Sequence, residues 1–220
     1  MKRCLDVLLS LLALVALSPI LAAIAYRIRR ESPGPVCYRG RRVGLGGEIF
    51  RIYKFRTMVV DAEALGGPTT AGDDPRLTPL GKVLRRYKLD ELPQLCNVVK
   101  GEMSLVGPRP EVVEKVARYS SEERKILDLR PGITDWASIW NADEGAAIAG
   151  HRDADQAYEQ LIRPTKIRLQ LLYREQASLW TDAKIMFYTL IKLCNRDWLP
   201  PELADLGPPG QPSWARVQVE

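Results

Sequence analysis

Two adjacent carboxylates, Asp90 and Glu91, stand between a basic segment and a Gly-Pro-Arg-Pro turn in the stretch 84–110. A carboxylate can attack phosphorus as a nucleophile or hold a divalent cation, and nearby Arg and Lys side chains suit a polyanionic substrate. If Asp90 caps a helix, with Arg85 and Arg86 one turn upstream, we expect its pKa to be lowered and its carboxylate to remain ionised. An acid pair at a helix start is also common capping chemistry, so these residues alone leave catalysis and capping open.

Two helices are predicted to position the pair. Thr78 as N-cap and Pro79 in the first turn predict a helix before it, with a buried apolar stripe at helical spacing. Asp90 is predicted to cap the second helix, which Gly101 would close. The predicted stripe of the first helix consists of Leu80, Val83, Leu84 and Tyr87.

A strand-rich segment precedes these helices. Residues 36–58 contain short β-like stretches, and residues 44–47 read as a hairpin turn. Lys54 and Arg56 alternate with apolar residues, so in a strand they share one face. They would then hold a phosphate or lie under lipid headgroups, and a solvated basic strand is the open alternative.

Charge is unevenly distributed along the 220 residues, whose net charge is +5. The first 60 residues hold eleven Lys and Arg against three Asp and Glu. This indicates an anionic partner such as a membrane surface or a phosphorylated ligand. No nucleic acid is expected, because the basic residues flank a long apolar run rather than a recognisable nucleic-acid-binding motif. The four cysteines are far apart in sequence, which argues against a zinc site or a disulfide framework.

The apolar run spans residues 7–25 without a charge. A signal peptide, a spanning helix and a re-entrant helix that returns to the same face all have this length. Basic residues on both flanks conflict with the positive-inside bias of a spanning helix. Ser18 and Pro19 favour a kinked re-entrant helix, since proline removes a backbone donor and a neighbouring serine can satisfy the freed backbone group.

Several blocks, taken in order, resemble one family: the small monotopic phosphoglycosyl transferases, or bacterial sugar transferases. The resemblance extends from residue 1 to about 195, and the order and spacing of the blocks are specific. The blocks are the N-terminal helix with Ser18-Pro19, Lys54-Phe-Arg-Thr-Met58, Asp74-Pro-Arg-Leu-Thr-Pro-Leu-Gly81, Leu89-Asp-Glu-Leu-Pro-Gln-Leu95 with Asn97, Gly101-Glu-Met-Ser-Leu-Val-Gly-Pro-Arg-Pro110 and Arg130-Pro-Gly-Ile-Thr134.

The resemblance implies transfer of a sugar-1-phosphate from a UDP-sugar to polyprenol (undecaprenyl) phosphate, with release of UMP. It implies a ping-pong mechanism in which Asp90 attacks the β-phosphorus of the donor and forms a phosphosugar-aspartate intermediate, while Glu91, with Asp90, holds Mg²⁺. The reaction would be the first membrane step of surface glycan assembly. A non-catalytic, membrane-anchored scaffold of such a pathway is the alternative. The implied phosphate-binding residues are Lys54, Arg56, Arg85 and Arg109.

The implied fold is α+β and mainly helical, with a small β-hairpin and amphipathic interfacial helices around a compact cytosolic domain. We expect a re-entrant membrane helix over residues 1–30, a catalytic domain over 31–199 and a loosely ordered tail over 200–220. The expected location is the cytoplasmic face of the bacterial inner membrane, in contact with lipids, and a homodimer is compatible with this arrangement. The resemblance does not specify the sugar or the downstream pathway.

The C-terminal third departs from the family at one segment. Many members continue Gly-Trp-Ala-Gln-Val-Asn-Gly-Arg after the position of Thr134, whereas this chain has Asp135-Trp-Ala-Ser-Ile-Trp-Asn-Ala-Asp-Glu144. An acidic segment there would favour an amino-bearing sugar, or would simply be a solvated loop. Residues 155–193 read mostly as helices, whose aromatic residues would lie at a membrane interface or in the core. These aromatic residues, with one just beyond the helices, are Trp180, Phe187, Tyr188 and Trp198.

Overall fold

A long N-terminal helix lies against a mainly helical domain that also contains three two-stranded sheets. The computed structural model describes residues 1–65, 70–206 and 209. The α-helices are α1 (Lys2–Glu31), α2 (Pro79–Arg86), α3 (Gln94–Lys100), α4 (Val113–Val116), α5 (Ser121–Arg124), α6 (Trp136–Trp140), α7 (Glu144–Ala147), α8 (Ala154–Ala157), α9 (Arg163–Gln176) and α10 (Leu179–Cys194). The strands are β1 (Cys37–Tyr38), β2 (Arg41–Val43), β3 (Ile49–Arg51), β4 (Lys54–Phe55), β5 (Ser104–Val106) and β6 (Gly132–Thr134).

The predicted hairpin is confirmed. Strands β2 and β3 pair antiparallel, with Arg42 opposite Phe50. Gly46 and Gly47 make the turn with φ angles of 65° and 87°, a region that favours glycine. Strand β4 follows this hairpin and pairs antiparallel with β1. This pairing fixes the backbone position of Lys54, which belongs to β4.

Strands β5 and β6 form a short parallel pair, and the Gly-Pro-Arg-Pro turn directly follows β5. A Cβ atom on Gly132 would lie 2.1 Å from the Gly107 nitrogen, so the two backbones approach too closely for a side chain. Gly107 donates to the Thr134 carbonyl, and Gly132 donates to the Pro108 carbonyl. These bonds fix the point at which the turn, and with it Arg109, leaves the β5–β6 strand pair.

The main core lies between α6, α9 and α10. Trp136, Ile139 and Trp140 of α6 are each at most 4% exposed and pack with Leu169 and Ile185 from the two long C-terminal helices. A 3₁₀ helix at Pro201–Leu206 adds Leu203, which is 2% exposed, to the same core. The rest of the predicted tail lies outside the described residues, apart from Pro200 and Pro209.

The N-terminal end of α1 is attached to the domain by charged side chains. Lys2 Nζ contacts Asp182 Oδ2 at 2.5 Å and donates to the Val106 carbonyl at 2.9 Å. Arg3 donates to the carbonyls of Val98 and Val99 at the end of α3. Because these side chains are paired with the domain, the start of the apolar helix is fixed beside α3, β5 and α10.

The C-terminal end of α1 is attached to the same domain by apolar contacts and one carboxylate. Ile24 and Ile28 pack with Phe55 and Leu84. Glu31 Oε1 accepts a hydrogen bond of 2.8 Å from the Leu80 amide in the first turn of α2. A helix of 30 residues is about 45 Å long, so the domain contacts two widely separated points on it.

The middle of α1 presents apolar side chains to the outside, and within the described residues α1 is the one helix long and apolar enough to cross a membrane. It runs without interruption through Pro19. Proline cannot donate to the Val15 carbonyl, and Ser18 Oγ donates to that carbonyl at 2.8 Å instead. The predicted satisfaction of a freed backbone group by Ser18 is therefore confirmed, while the kink and the re-entrant path stay predictions.

Helices fill residues 154–194, as predicted, and α10 is amphipathic. Its outer face exposes Trp180 (76%) and Phe187 (60%) together with Leu190 and Leu193. The other two predicted aromatic residues, Tyr188 and Trp198, pack edge to face with ring centroids 5.2 Å apart. The exposed face suits a membrane interface, but that role stays a prediction.

Candidate active site

The acid pair lies in a tight 3₁₀ turn (Leu89–Glu91) between α2 and α3. Lys88 takes a left-handed conformation, with φ 55°, which separates α2 from this turn. The amides of Glu91 and Leu92 bond to backbone carbonyls of Lys88 and Leu89, so no side-chain cap is needed there. The predicted capping role of Asp90 is wrong, because α3 begins later, at Gln94, and its N-cap residue Pro93 makes no side-chain cap bond.

Glu91 is buried between two cations. Arg109 donates to both of its carboxylate oxygens, with Nη1 2.9 Å from Oε2, and Lys54 Nζ lies 3.0 Å from Oε1. Burial by itself raises the pKa of Glu91, but Arg109 and Lys54 outweigh it and hold the pKa well below its usual value. Glu91 is therefore an ionised carboxylate at the centre of a buried ion-pair cluster.

Asp90 has a different environment, although it is adjacent in sequence. It is 5% exposed, and its Oδ1 atom has no hydrogen-bond partner among the described residues. Burial and then the negative charge of Glu91 raise its pKa, and Lys54, Lys88 and Arg85 only partly oppose this. The predicted lowering of its pKa is wrong, because loss of water outweighs the neighbouring cations.

Lys54 and Arg85 complete the surroundings of the pair. Burial lowers the pKa of both, while the carboxylates of Glu91 and Asp90 act in the opposite direction on each. Arg85 Nε donates to Thr57 Oγ1 at 3.0 Å, which orients the guanidinium at the end of α2. The structure thus brings together five of the predicted site residues: Lys54, Arg85, Asp90, Glu91 and Arg109.

Arg56 is not brought to this cluster. Its guanidinium donates to the Pro33 and Ser32 carbonyls at 2.8 Å each and to Ser32 Oγ at 2.9 Å, at the end of α1. A cation there also offsets the partial negative charge of the helix C-terminus. The structure therefore gives Arg56 the role of holding α1, and its predicted place beside a substrate phosphate is not supported.

Arg109 is held by residues that sequence reasoning did not assign to the site. Its amide donates to Asp135 Oδ2 at 3.2 Å, and Gln170 Nε2 lies 3.4 Å from its carbonyl oxygen. Asp135 and Gln170 are fully buried and contact each other at 3.3 Å. Asp135 was visible in the sequence only as a departure from the family pattern, and no local signal linked Gln170 to Arg109.

A second buried cluster lies on the other side of Arg109. Lys166 is 4% exposed and contacts Glu111 Oε1 at 2.6 Å, Glu144 Oε1 at 2.9 Å and the Tyr158 hydroxyl at 3.2 Å. Glu144 and Arg109 shift each other's pKa, so the charges of the two clusters interact. Sequence reasoning missed Lys166, which looks like an ordinary surface lysine of a predicted helix.

The donor set around the pair determines which metal site is feasible. Across residues 1–65, 70–206 and 209, no group of three or more His, Cys, Asp or Glu side chains is arranged to hold an ion. The unpartnered Asp90 Oδ1 and the remaining lone pairs of Glu91 supply oxygen ligands from two carboxylates. Such a set fits Mg²⁺, which is often held by one or two carboxylates together with substrate phosphates and water.

A cleft of about 940 Å³ is lined by none of the five site residues that the structure brings together. Residues 73–76 and 151–157 form much of its lining, including the ion pair of Asp74 with Arg76. Arg85 connects it electrostatically to the pair, since both Asp90 and Asp74 act on its pKa. The cleft has the size of a small-molecule site.

Comparison with known proteins shows a match to the family model described as bacterial sugar transferase over residues 1–196. An Aeromonas hydrophila protein named UDP-N-acetylgalactosamine-undecaprenyl-phosphate N-acetylgalactosaminephosphotransferase is 40% identical over 195 residues, 86% of this chain and 42% of the relative. An Escherichia coli protein named UDP-glucose:undecaprenyl-phosphate glucose-1-phosphate transferase is 36% identical over 199 residues, 87% of this chain and 40% of that relative. The chain therefore spans about two fifths of the length of these relatives.

A shorter relative is covered almost completely. The exopolysaccharide production protein ExoY of Sinorhizobium fredii is 35% identical over 208 residues, 88% of this chain and 85% of the relative.

Proposed function

Because this chain belongs to the bacterial sugar transferase family, we propose that it transfers a sugar-1-phosphate from a UDP-sugar to undecaprenyl phosphate and releases UMP. The observation that carries the proposal is the buried Asp90–Glu91 pair surrounded by Lys54, Arg85 and Arg109. Three cations at a pair of acids suit a substrate with two phosphates. The names of the Aeromonas and Escherichia relatives support the acceptor and the type of donor.

The covalent step assigns the two carboxylates different tasks. An Asp90 oxygen attacks the β-phosphorus of the donor, the bond from that phosphorus to the oxygen bridging the α-phosphate breaks, and UMP leaves with the bond's electron pair. The acceptor's phosphate oxygen then attacks the same phosphorus and releases Asp90 as a carboxylate. Polyprenyl diphosphate-sugar is the product. The buried, unpartnered Oδ1 of Asp90 supports this role, because little water or protein bonding must be removed before attack.

Glu91 and Asp90 would hold Mg²⁺ together with phosphate oxygens of the donor. The ion supplies positive charge against the phosphates as the P–O bond breaks. Arg109, already anchored by its main chain to Asp135, can contact a phosphate while keeping one bond to Glu91. Lys54, which shares Glu91 Oε1 with Arg109, and Arg85 supply further positive charge beside the pair.

A UMP-release assay tests the reaction directly. Purified protein with Mg²⁺, undecaprenyl phosphate and a panel of UDP-sugars is expected to release UMP with at least one donor, at a kcat of about 1–100 s⁻¹. The Asp90→Asn variant is the control for contaminating hydrolases. Absence of UMP with every donor would reject the proposal and favour the scaffold alternative.

We further propose that α1 is re-entrant and that the domain lies at the cytoplasmic face of the inner membrane. Both ends of α1 contact the same domain, and both carry basic residues, including Lys2 and Arg30. A spanning helix would place those ends on opposite sides of the bilayer, whereas basic residues favour the cytoplasmic side.

Cysteine labelling tests this path. Two variants, one with native Cys4 as its single cysteine and one with Ser32→Cys in a background without the four native cysteines, are both expected to resist an impermeant thiol reagent added to intact cells and to react after lysis. A cysteine introduced in a known periplasmic protein is the control. Labelling of either end in intact cells would contradict the re-entrant path.

A further inference from the structure

The Lys166 cluster holds one carboxylate that is partly exposed to solvent. Lys166 and Glu111 are mostly buried, with side chains 6% and 13% exposed, whereas the Glu144 side chain is 37% exposed. Burial by itself raises the pKa of Glu144, but Lys166 and Arg109 outweigh it and lower the pKa. Glu144 is therefore ionised, held by a buried partner and partly exposed to solvent.

The backbone around Glu144 is fixed from two sides. Asp143 caps α7 by accepting from the Ala146 amide at 3.0 Å, and the Gly145 carbonyl accepts from the Gly72 amide at 2.9 Å. A Cβ on Gly145 would lie 3.1 Å from the Gly72 nitrogen, so this contact is close. Glu144 thus adjoins the segment 71–73, of which Ala71 and Asp73 line the cleft. Its carboxylate is also close enough to Arg109 for the two charges to interact.

One oxygen of Glu144 is available for a ligand. Its Oε1 atom contacts Lys166 at 2.9 Å, and Oε2 has no hydrogen-bond partner in the part of the chain that the structure describes. A carboxylate repels phosphate, so the group it receives must be another part of the donor. Hydroxyl and amide N–H groups donate well to an ionised carboxylate.

We propose that Glu144 determines sugar specificity by accepting a hydrogen bond on Oε2 from a hydroxyl or amide N–H of the donor's sugar. This inference rests on the proposed function. A neutral donor group fits better than the ammonium of an amino sugar, because Lys166 and Lys115 already balance the charges of Glu111 and Glu144.

The comparisons are consistent with a specificity role for this segment. Relatives that match most of the chain are named for N-acetylgalactosamine, glucose and galactose. Relatives named for different sugars need residues that differ at the sugar, so a specificity residue is expected to vary within the family.

The test measures kcat/KM for UMP release with UDP-glucose, UDP-galactose and their two N-acetylamino counterparts. In Glu144→Ala, the ratio between the best donor and its C4 epimer is expected to fall about 10- to 100-fold, as for loss of a charged hydrogen bond. The affinity of this variant for UMP, measured by calorimetry, is expected to stay within about twofold of the wild-type value, because UMP lacks the sugar. Lys166 keeps Glu111 and Tyr158 as partners in this variant, so folding is expected to persist.

Two further variants separate recognition from support of the fold. Glu202→Ala is the matched control, because Glu202 is 40% exposed and pairs with Lys184 at 2.8 Å, and its donor ratios are expected to equal those of the wild type. Glu144→Gln keeps the shape of the side chain. It is expected to change the donor ratios in the same direction as Glu144→Ala.

The outcomes distinguish this inference from the reaction itself. Wild-type activity with unchanged donor ratios in both Glu144 variants would overturn the specificity role and leave the proposed function standing. Weakened UMP binding in Glu144→Ala would also overturn the specificity role. That result would mean that Glu144 acts by holding Arg109 in place. Absence of UMP release by the wild type with every donor would reject the reaction and this inference together.

Discussion

Replacing Asp90 with asparagine is expected to reduce UMP release at least about 10⁴-fold, because the variant lacks the attacking oxygen of the covalent step. The amide has nearly the same shape, and Asp90 Oδ1 makes no hydrogen bond that its loss would break. The variant is expected to be at least as stable as the wild type, since the native site carries the cost of a buried charge whose pKa is raised. Steady-state UMP release and a thermal melt measure both effects.

A second buried carboxylate provides the matched control for that substitution. Asp182 is 6% exposed and contacts Lys2 and Tyr173 at the start of α1, remote in sequence from the acid pair. Asp182→Asn is expected to lower the melting temperature while activity falls less than about tenfold, because it weakens a structural contact only. Retention of more than a tenth of wild-type activity by Asp90→Asn would remove Asp90 as the nucleophile.

Glu91→Gln is the second substitution with a large expected effect. We expect UMP release to fall at least about 10³-fold, and the Mg²⁺ concentration for half-maximal rate to rise at least about tenfold. The physical reason is that Glu91 supplies the ion with a charged ligand and also balances Lys54 and Arg109. A Mg²⁺ titration of the reaction rate measures both changes.

Loss of that charge also leaves two buried cations less well paired. Removing one partner of a buried ion pair typically lowers the free energy of unfolding by about 3 kcal/mol or more. A thermal melt without substrate therefore separates instability from loss of catalysis. If the folded variant kept the wild-type Mg²⁺ dependence, Glu91 would not be a metal ligand. Full wild-type activity in excess chelator would contradict any role of a divalent ion.

Elements specified by local sequence could be predicted. Thr78 caps α2 by accepting from the Gly81 amide at 2.9 Å, with Pro79 in the first turn, as its sequence indicates. The β2–β3 hairpin follows from its glycine-rich turn. Both depend on residues close in the chain, where capping and turn preferences act directly.

The buried stripe predicted for α2 is only partly right. Leu84 is buried, but Val83 and Tyr87 are 49% and 56% exposed. The face toward the domain instead includes Gly81, where a Cβ would lie 2.0 Å from the Thr57 carbonyl oxygen. Helical spacing identifies apolar positions, whereas the close approach of another backbone determines which side is covered.

The properties of the acid pair depended on tertiary structure. A lowered pKa for Asp90 followed from counting nearby cations, but the pKa is raised because surrounding elements remove water from the carboxylate. The position of Arg56 differs from the expected one for a related reason. Alternation along a strand placed it with Lys54, whereas carbonyl groups at the end of α1, more than 20 residues earlier, bind its guanidinium.

Intact-mass spectrometry of the wild-type protein tests the central claim most directly. With UDP-sugar and Mg²⁺ but no acceptor, the protein is expected to gain the mass of one sugar phosphate at Asp90, with one UMP released per adduct. Addition of undecaprenyl phosphate is expected to return the mass to its starting value. An unmodified mass, with UMP appearing only when donor and acceptor are both present, would contradict the covalent mechanism.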